Sequence, residues 1–299
     1  MTLSTRQTYL LFIAVILSWS FNWLAMKIGL QYTTALWYAS FRLCFSALIL
    51  FAFLAYRRKI YLPHPKDWPL IFTQGFLQMG LYMTLVIIAL HYVGAGRTVI
   101  LCYATLLWST PIAVFIYKEP LSAKKLAGFI LSLLGIAVYF DPAHFQWHNE
   151  HRVIGSLIAL TASACWGLAM AHARFGRWHA TPSQLYPWKI ISAAAPIGLL
   201  TLLTQTSGST HWNSTLILTL TFSTVFATLF AWWGMIILAK ALPSTTTAVG
   251  VLAVPVIVVI LASLVLHEHI TSSLVTALSL IIAGIVLVSL DRQKASPEL

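Results

Sequence analysis

The sequence predicts an all-α polytopic membrane protein of ten transmembrane helices in two inverted five-helix repeats. Composition is the first reason: 59% of the 299 residues are hydrophobic and only 8% are charged, where an ordinary soluble domain carries about 25% charged residues. One globular core of this length cannot bury so much apolar surface, so lipid must be the solvent. The second reason is a repeat. An apolar helix holding Tyr103, Leu106, Leu107, Trp108, Pro111 and Val114, a charged turn (Tyr117, Lys118, Glu119, Pro120) and a second helix opening at Ser122 recur 149 residues later. There Lys118-Glu119 becomes His267-Glu268, Leu121-Ser122 becomes Ile270-Thr271, and Gly135 becomes Gly284. A shift of half the chain means two copies of one unit, each closed by this helix-turn-helix.

A helix crosses the hydrocarbon in about 20 mostly apolar residues, with every backbone group satisfied internally. On that rule spans run over residues 8–29, 34–56, 67–90, 96–117, 122–140, 153–174, 183–204, 213–239, 246–266 and 271–290. Breakers and charges separate them: Arg57-Arg58-Lys59 with Pro63 and Pro65, Glu119-Pro120, the polar segment 141–152, Thr181-Pro182, Ser207-Gly208-Ser209 and Leu242-Pro243-Ser244. The N-terminal apolar run after Arg6 reads as the first span rather than a secretory signal, because without it the first repeat lacks the counterpart of residues 155–173. The expected domains are a first repeat over 1–141, an outer connecting loop over 142–152, a second repeat over 153–290 and a cytoplasmic tail over 291–299.

Charge asymmetry is the third reason. Ten spans put both termini on one side, and the connections there hold 13 of the 18 Lys and Arg, while the opposite side holds Lys27, Arg97 and Arg152. Such an excess marks the cytoplasmic face, so both termini are expected in the cytoplasm. Five helices per repeat, an odd number, force the second copy to enter the membrane from the opposite face. Inverted pairs of this kind recur in secondary transporters, where exchange of conformations between the copies opens a central site to either side in turn. The net charge of +11 is therefore read as a topology signal, and nucleic acid is not an expected partner. Cys44, Cys102 and Cys165 fall within or at the ends of apolar helices, which leaves no loop pair for a disulfide framework.

Four segments carry a resemblance over nearly the whole chain. They are Trp19-Ser20-Phe21-Asn22-Trp23 with Lys27-Ile28-Gly29; Ala89-Leu90-His91-Tyr92 through Ala95-Gly96-Arg97; Lys118-Glu119-Pro120-Leu121-Ser122; and Leu252-Ala253-Val254-Pro255-Val256 leading to His267-Glu268-His269-Ile270-Thr271. In this order and spacing they resemble the drug/metabolite transporter superfamily, in its ten-helix EamA type. The resemblance implies an inner-membrane carrier, often an exporter of amino acids or related metabolites, with a cavity lined by helices 1, 3, 4, 6, 8 and 9. Two positions depart from it. Leu106 stands where a proline matching Pro255 is common, with Pro111 further on, so the kink of helix 4 is expected to be displaced. Lys189 follows Trp188 where glutamine is common, adding a charge.

Several residues are candidates for the substrate site. Gln74, Gln78 and Tyr82 stack at i, i+4 and i+8, a polar face that should point inward, either to bind substrate or to bond neighbouring helices. Trp19, Asn22 and Met26 share a face of helix 1, and Cys165, Trp166 and Met170 fall near the matching place in helix 6, with Trp19 and Trp166 as symmetry mates. Tyr103, Trp108, Trp232 and Trp233 add aromatic walls, whereas Phe222, Phe226 and Phe230 read as a packing or lipid-facing stripe. The predicted substrate-binding set is Trp19, Asn22, Gln78, Tyr82, Tyr103, Trp166, Lys189 and Trp233. Lys189 either pairs with a substrate carboxylate or, as favoured, snorkels to the cytoplasmic headgroups; Arg42 is expected to snorkel as well.

The seven acids, Asp67, Glu119, Asp141, Glu150, Glu268, Asp291 and Glu298, all fall at helix ends or in loops, so a carboxylate-based proton or sodium site is not expected. Glu119 and Glu268 end helices where negative charge opposes the dipole. Lys124 or Lys125 is expected to compensate Glu119, and Ser122 and Thr271 to cap the helices that follow. Small residues seven apart (Gly128 and Gly135; Ala277 and Gly284) allow close helix approach, within a monomer or between subunits. His144, His148 and His151 beside Asp141 and Glu150 lack the spacing of a metal motif, so neither metal nor cofactor is expected. No G-x-S-x-G, no H-E-x-x-H and no buried carboxylate pair speaks for an enzyme. The expected function is a carrier of small organic metabolites, an exporter of amino acids or related amphipathic compounds acting as monomer or homodimer. Import, and flipping of a lipid or lipid-linked sugar, are the alternatives.

Overall fold

The computed structural model describes residues 4–140, 145 and 147–291, so Asp141, His144 and the tail beyond 291 lie outside the described residues. Ten helical rods follow in order: α1 (Thr5–Gly29), α2 (Ala35–Tyr56), α3 (Pro65–Tyr92), α4 (Ala95–Ile116), α5 (Ala123–Tyr139), α6 (Glu150–Phe175), α7 (Pro182–Thr204), α8 (Ser214–Ala241), α9, in two pieces (Ser244–Val251 and Ala253–Leu266), and α10 (Ser272–Asp291). Among the described residues nine are long and apolar enough to cross a membrane; α5, at 17 residues, is the short tenth.

Several rods start earlier than hydropathy alone places them, because a polar side chain takes over the first orphan amides. Ser4 opens α1 with a capping box to Gln7, and Asn149 opens α6 by accepting from the Arg152 amide at 3.0 Å. Thr181 and Gln184 form a capping box at the start of α7, and Ser122 and Thr271 accept from the Lys125 and Leu274 amides.

The repeat extends below the level of whole helices. α3 is π-helical over Thr73–Leu81 and α8 over Phe222–Phe230, which are the same positions 149 apart. α4 turns out of helix at Tyr103–Thr105, after Ala95–Cys102, and α9 breaks at Leu252, again 149 further on. Both α4 and α9 end on a left-handed residue, Lys118 (φ 56°) and His267 (φ 54°), whose following amide reaches back six residues: Glu119 to Ala113 O at 2.9 Å and Glu268 to Ala262 O at 3.0 Å. α4 thus breaks beside Leu106 without a proline there, and Pro111, which donates no amide, is followed by a π turn over Ile112–Ile116.

The packing obeys a two-fold relation between the halves. α1 lies against α8 and α9 as α6 lies against α3 and α4, while α2 meets α7, α4 meets α9 and α5 meets α10. The α5–α10 contact depends on glycine: a Cβ on Gly128 would lie 2.6 Å from Gly284 O, and one on Gly135 2.9 Å from Ala277 O. The small-residue face therefore closes a contact within one chain.

Candidate substrate-binding site

We call the face where α4 begins and α9 ends the upper face, and the face where α1 begins the lower. Midway between them runs a chain of rings. Tyr82 of α3 tilts on Trp166 of α6 with centroids 4.7 Å apart, Trp166 meets Trp232 of α8 at 6.0 Å, and Trp232 meets Trp19 of α1 at 6.0 Å. The α3–α6 and α1–α8 pairs are equivalents by the two-fold relation, so Tyr82–Trp166 and Trp19–Trp232 each join the first repeat to the second, and Trp166–Trp232 links the two crossings. Such tilted and edge-on pairs are favourable in themselves and leave faces and edges to hold an apolar or aromatic body. Trp19 also donates from Nε1 to Ala227 O at 3.2 Å. Tyr103, at the break in α4, donates to Val251 O at 3.4 Å, next to the break in α9.

The polar candidates divide. Asn22 is buried at 2% exposure; among the described residues its Nδ2 bonds only to the Met26 sulfur, at 3.6 Å, and its Oδ1 has no partner. Gln78 is buried and bonds to no described residue. Gln74 instead donates to Ala169 O at 2.7 Å and ties α3 to α6. Trp233 is 54% exposed on the outside of α8 and is not brought to the centre; its neighbour Trp232 takes that place, because one residue turns a helix by about 100°. Met170 also faces outward.

The intramembrane cations differ most from expectation. Arg42 does not snorkel: it is 2% exposed inside the bundle, donating from Nε to Thr228 Oγ1 at 2.8 Å and from one Nη to the sulfurs of Met26 and Met83. Its aliphatic stem starts from a helix face that packs on α3 and α8, which leaves no path to the headgroups. Lys189 is likewise buried, at 9% exposure, with Nζ 4.5 Å from the centroid of the Trp178 ring, a cation–π contact in place of water.

Each face carries a glutamate that ties helices together. At the upper face Glu268 accepts from the amides of Ala95 at 2.6 Å and Gly96 at 3.0 Å, the first turn of α4, where the helix dipole favours a negative charge. Gly94 makes room for it: a Cβ there would lie 2.7 Å from Glu268 Oε1. Lys27 donates to the carbonyls of Leu90 and Val93 beside it. At the lower face Glu119 pairs with Lys125 at 2.7 Å and with Arg174 of α6 through two bonds of 2.5 and 2.8 Å. Burial works against its ionisation, but the two cations outweigh it and hold the carboxyl below its ordinary range. Of the two partners expected, Lys124 or Lys125, it is Lys125 that pairs, and Arg174, which only the docking of α6 brings in, was not foreseen.

The two faces are packed unequally. The upper piece of α4, Ala95–Cys102, buries all but one of its residues, while its equivalent 149 residues on, Ser244–Val251 at the lower face, buries none of those whose side chains are described. Leu106–Pro111, the lower piece of α4, also buries none, whereas its counterpart in α9, residues 255–260, buries Pro255, Val258 and Val259. Two sequence-equivalent pairs of half-helices therefore sit in opposite packing states, tight above and loose below.

Comparison with known proteins agrees with this architecture. The EamA-like transporter family matches twice, over residues 6–140 and 153–290. The uncharacterized transporter YoaV of Bacillus subtilis (strain 168) is 25% identical over 91% of this chain and 93% of its own. A protein of Salmonella typhimurium (strain LT2) named "Probable amino-acid metabolite efflux pump" is 23% identical over 94% of each chain. A solved crystal structure superposes with a TM-score of 0.63 at 18% identity, over 98% of this chain and 100% of that one. The chain is a multi-pass membrane protein and belongs to the EamA-like transporter family.

Proposed function

We propose that the protein is a secondary carrier of small organic metabolites in the cell inner membrane, an exporter of amino acids or related amphipathic compounds working by alternating access, with both termini cytoplasmic. The observation that carries this reading is the unequal burial of equivalent half-helices: Ala95–Cys102 is packed while the described side chains of its counterpart, residues 246–251, are not. Two copies of one unit in different states are what an inverted repeat needs to exchange states and reverse access. With the lower face cytoplasmic, as the Lys and Arg distribution argues, this conformation is shut outside by Glu268 and loosened toward the cytoplasm, the state in which an exporter loads. The ring chain Tyr82–Trp166–Trp232–Trp19 lies at the joint between the halves and would hold the cargo's apolar part. The name of the Salmonella relative supports amino-acid metabolites as a starting panel.

The experiment is flux of labelled amino acids and small metabolites into proteoliposomes, with and without an imposed pH gradient. Saturable flux that ignores the gradient is expected, since the described acids sit at helix ends. Absence of flux for every compound, with folded protein, would overturn the carrier. Single alanine variants at Tyr82, Trp19 and Trp166 test the site: normal transport at normal expression in all three would remove it from the ring chain.

A further inference from the structure

We infer that the cargo is a small organic anion, bound through its negative charge by Arg42 in one half of the bundle and by Lys189 in the other; this rests on the carrier reading above. The two cations are symmetry mates. Each stands eight residues after a threonine that opens its helix, Thr34 for α2 and Thr181 for α7, and they are 147 residues apart, as are Trp19 and Trp166. Since α2 begins at the upper face and α7 at the lower, the pair places one positive charge toward each end of the path.

Neither charge is neutralised. The described acids, Asp67, Glu119, Glu150, Glu268 and Asp291, lie at helix ends, and Arg42 has only a hydroxyl and two thioether sulfurs, weak acceptors that leave Nη2 with no described partner. Lys189 has the face of Trp178 and no described acceptor. A buried cation without a counter-ion is costly, and within a membrane such a group marks a substrate path. Next to Arg42, through the shared Met26 sulfur, lies the unpartnered Oδ1 of Asn22. Turned over, that amide presents N–H donors to the same space, since the two orientations are isosteric. Tyr82 packs on Trp166 and is followed in the chain by Met83, whose sulfur accepts from Arg42, so a carboxylate at the guanidinium leaves an apolar body near the rings. An amine would meet two like charges and, among the described residues, no acid along the way.

The test uses purified full-length protein reconstituted in phosphatidylcholine vesicles free of anionic lipid, so that no lipid headgroup supplies the charge. Lactate, isovalerate and phenylacetate are each compared with the matching amide and amine, by tryptophan-fluorescence binding and by flux under an imposed membrane potential. At least one acid should bind roughly tenfold or more tightly than its amide and amine, the range expected when a charged hydrogen-bond partner is lost. Its flux should follow the potential as an anion's does. Arg42→Gln should abolish the preference, Arg42→Lys should keep part of it, and Lys189→Gln should weaken flux. Preference for an amine or amide, or no binding by any acid, overturns the inference. So does unchanged binding in Arg42→Gln that elutes as wild type. Wild-type flux of amines or amides would sink the anion while leaving the carrier standing; absence of flux for all nine compounds would overturn the anion too, and only that failure together with failure of the amino-acid panel above would sink the carrier itself.

Discussion

Replacing Glu268 by glutamine should open the upper face. The carboxylate receives two charge-assisted bonds, from the amides of Ala95 and Gly96. Glutamine keeps one acceptor oxygen but turns an NH2 group toward the second amide. One such bond is worth roughly 1.5–3 kcal/mol, and the charge at a helix start about 0.3–1 kcal/mol; with a discount for the partial exposure of Glu268, the closed state loses about 2 kcal/mol. At about 1.4 kcal/mol per factor of ten the closed-to-open ratio falls roughly 30-fold. A reporter cysteine at Val259, which faces Gly96 across the closure, reads this out in a chain whose own three cysteines have been replaced. A membrane-impermeant maleimide added outside should label it about 30-fold faster in Glu268→Gln, and Gly94→Ala, which crowds the same carboxylate, should act in the same direction. An unchanged labelling rate refutes the closure, and a fall in melting temperature without faster labelling would assign Glu268 to the fold instead.

Gly135→Val should cost about 1–3 kcal/mol through overpacking against the Ala277 carbonyl, read as a lower melting temperature in detergent. Trp232→Ala should cut transport at least as far as Trp166→Ala, whereas Trp233→Ala, on the outer surface, should leave flux within about twofold. Because Glu119 titrates below its ordinary range when folded, its ion cluster contributes fully above the unfolded value of ~4.3 and is lost as pH falls through the folded value. Melting temperature measured between about pH 7 and about pH 3 should therefore drop less in Arg174→Gln than in wild type.

The architecture was legible in the sequence because hydropathy, charge and the 149-residue repeat are each carried by many residues, and the half-helix equivalences follow the same number. What the sequence left out depends on rotation and docking. Tryptophans 232 and 233 are indistinguishable in composition, and only the helix azimuth sends one to the centre and the other to the outside. Arg42 reads as a snorkelling residue when α2 is considered alone; the packing of α3 and α8 over it closes the route. Its kinship with Lys189 was nonetheless visible in the spacing from Thr34 and Thr181, a signal that lies in the caps rather than in the apolar core. The π segments left no trace, since a helix with one extra residue per turn keeps the same hydropathy.

Those π segments also bear on history. A π turn arises when one residue is inserted into an α-helix that cannot lengthen because both of its ends are already anchored. Thr73–Leu81 and Phe222–Phe230 occupy the same register of their repeats, and a single insertion in an ancestral five-helix gene, before it doubled, accounts for both. The irregular turn has thus been kept in both halves while neighbouring segments diverged, as Gly94-Ala95-Gly96 has from Pro243-Ser244-Thr245.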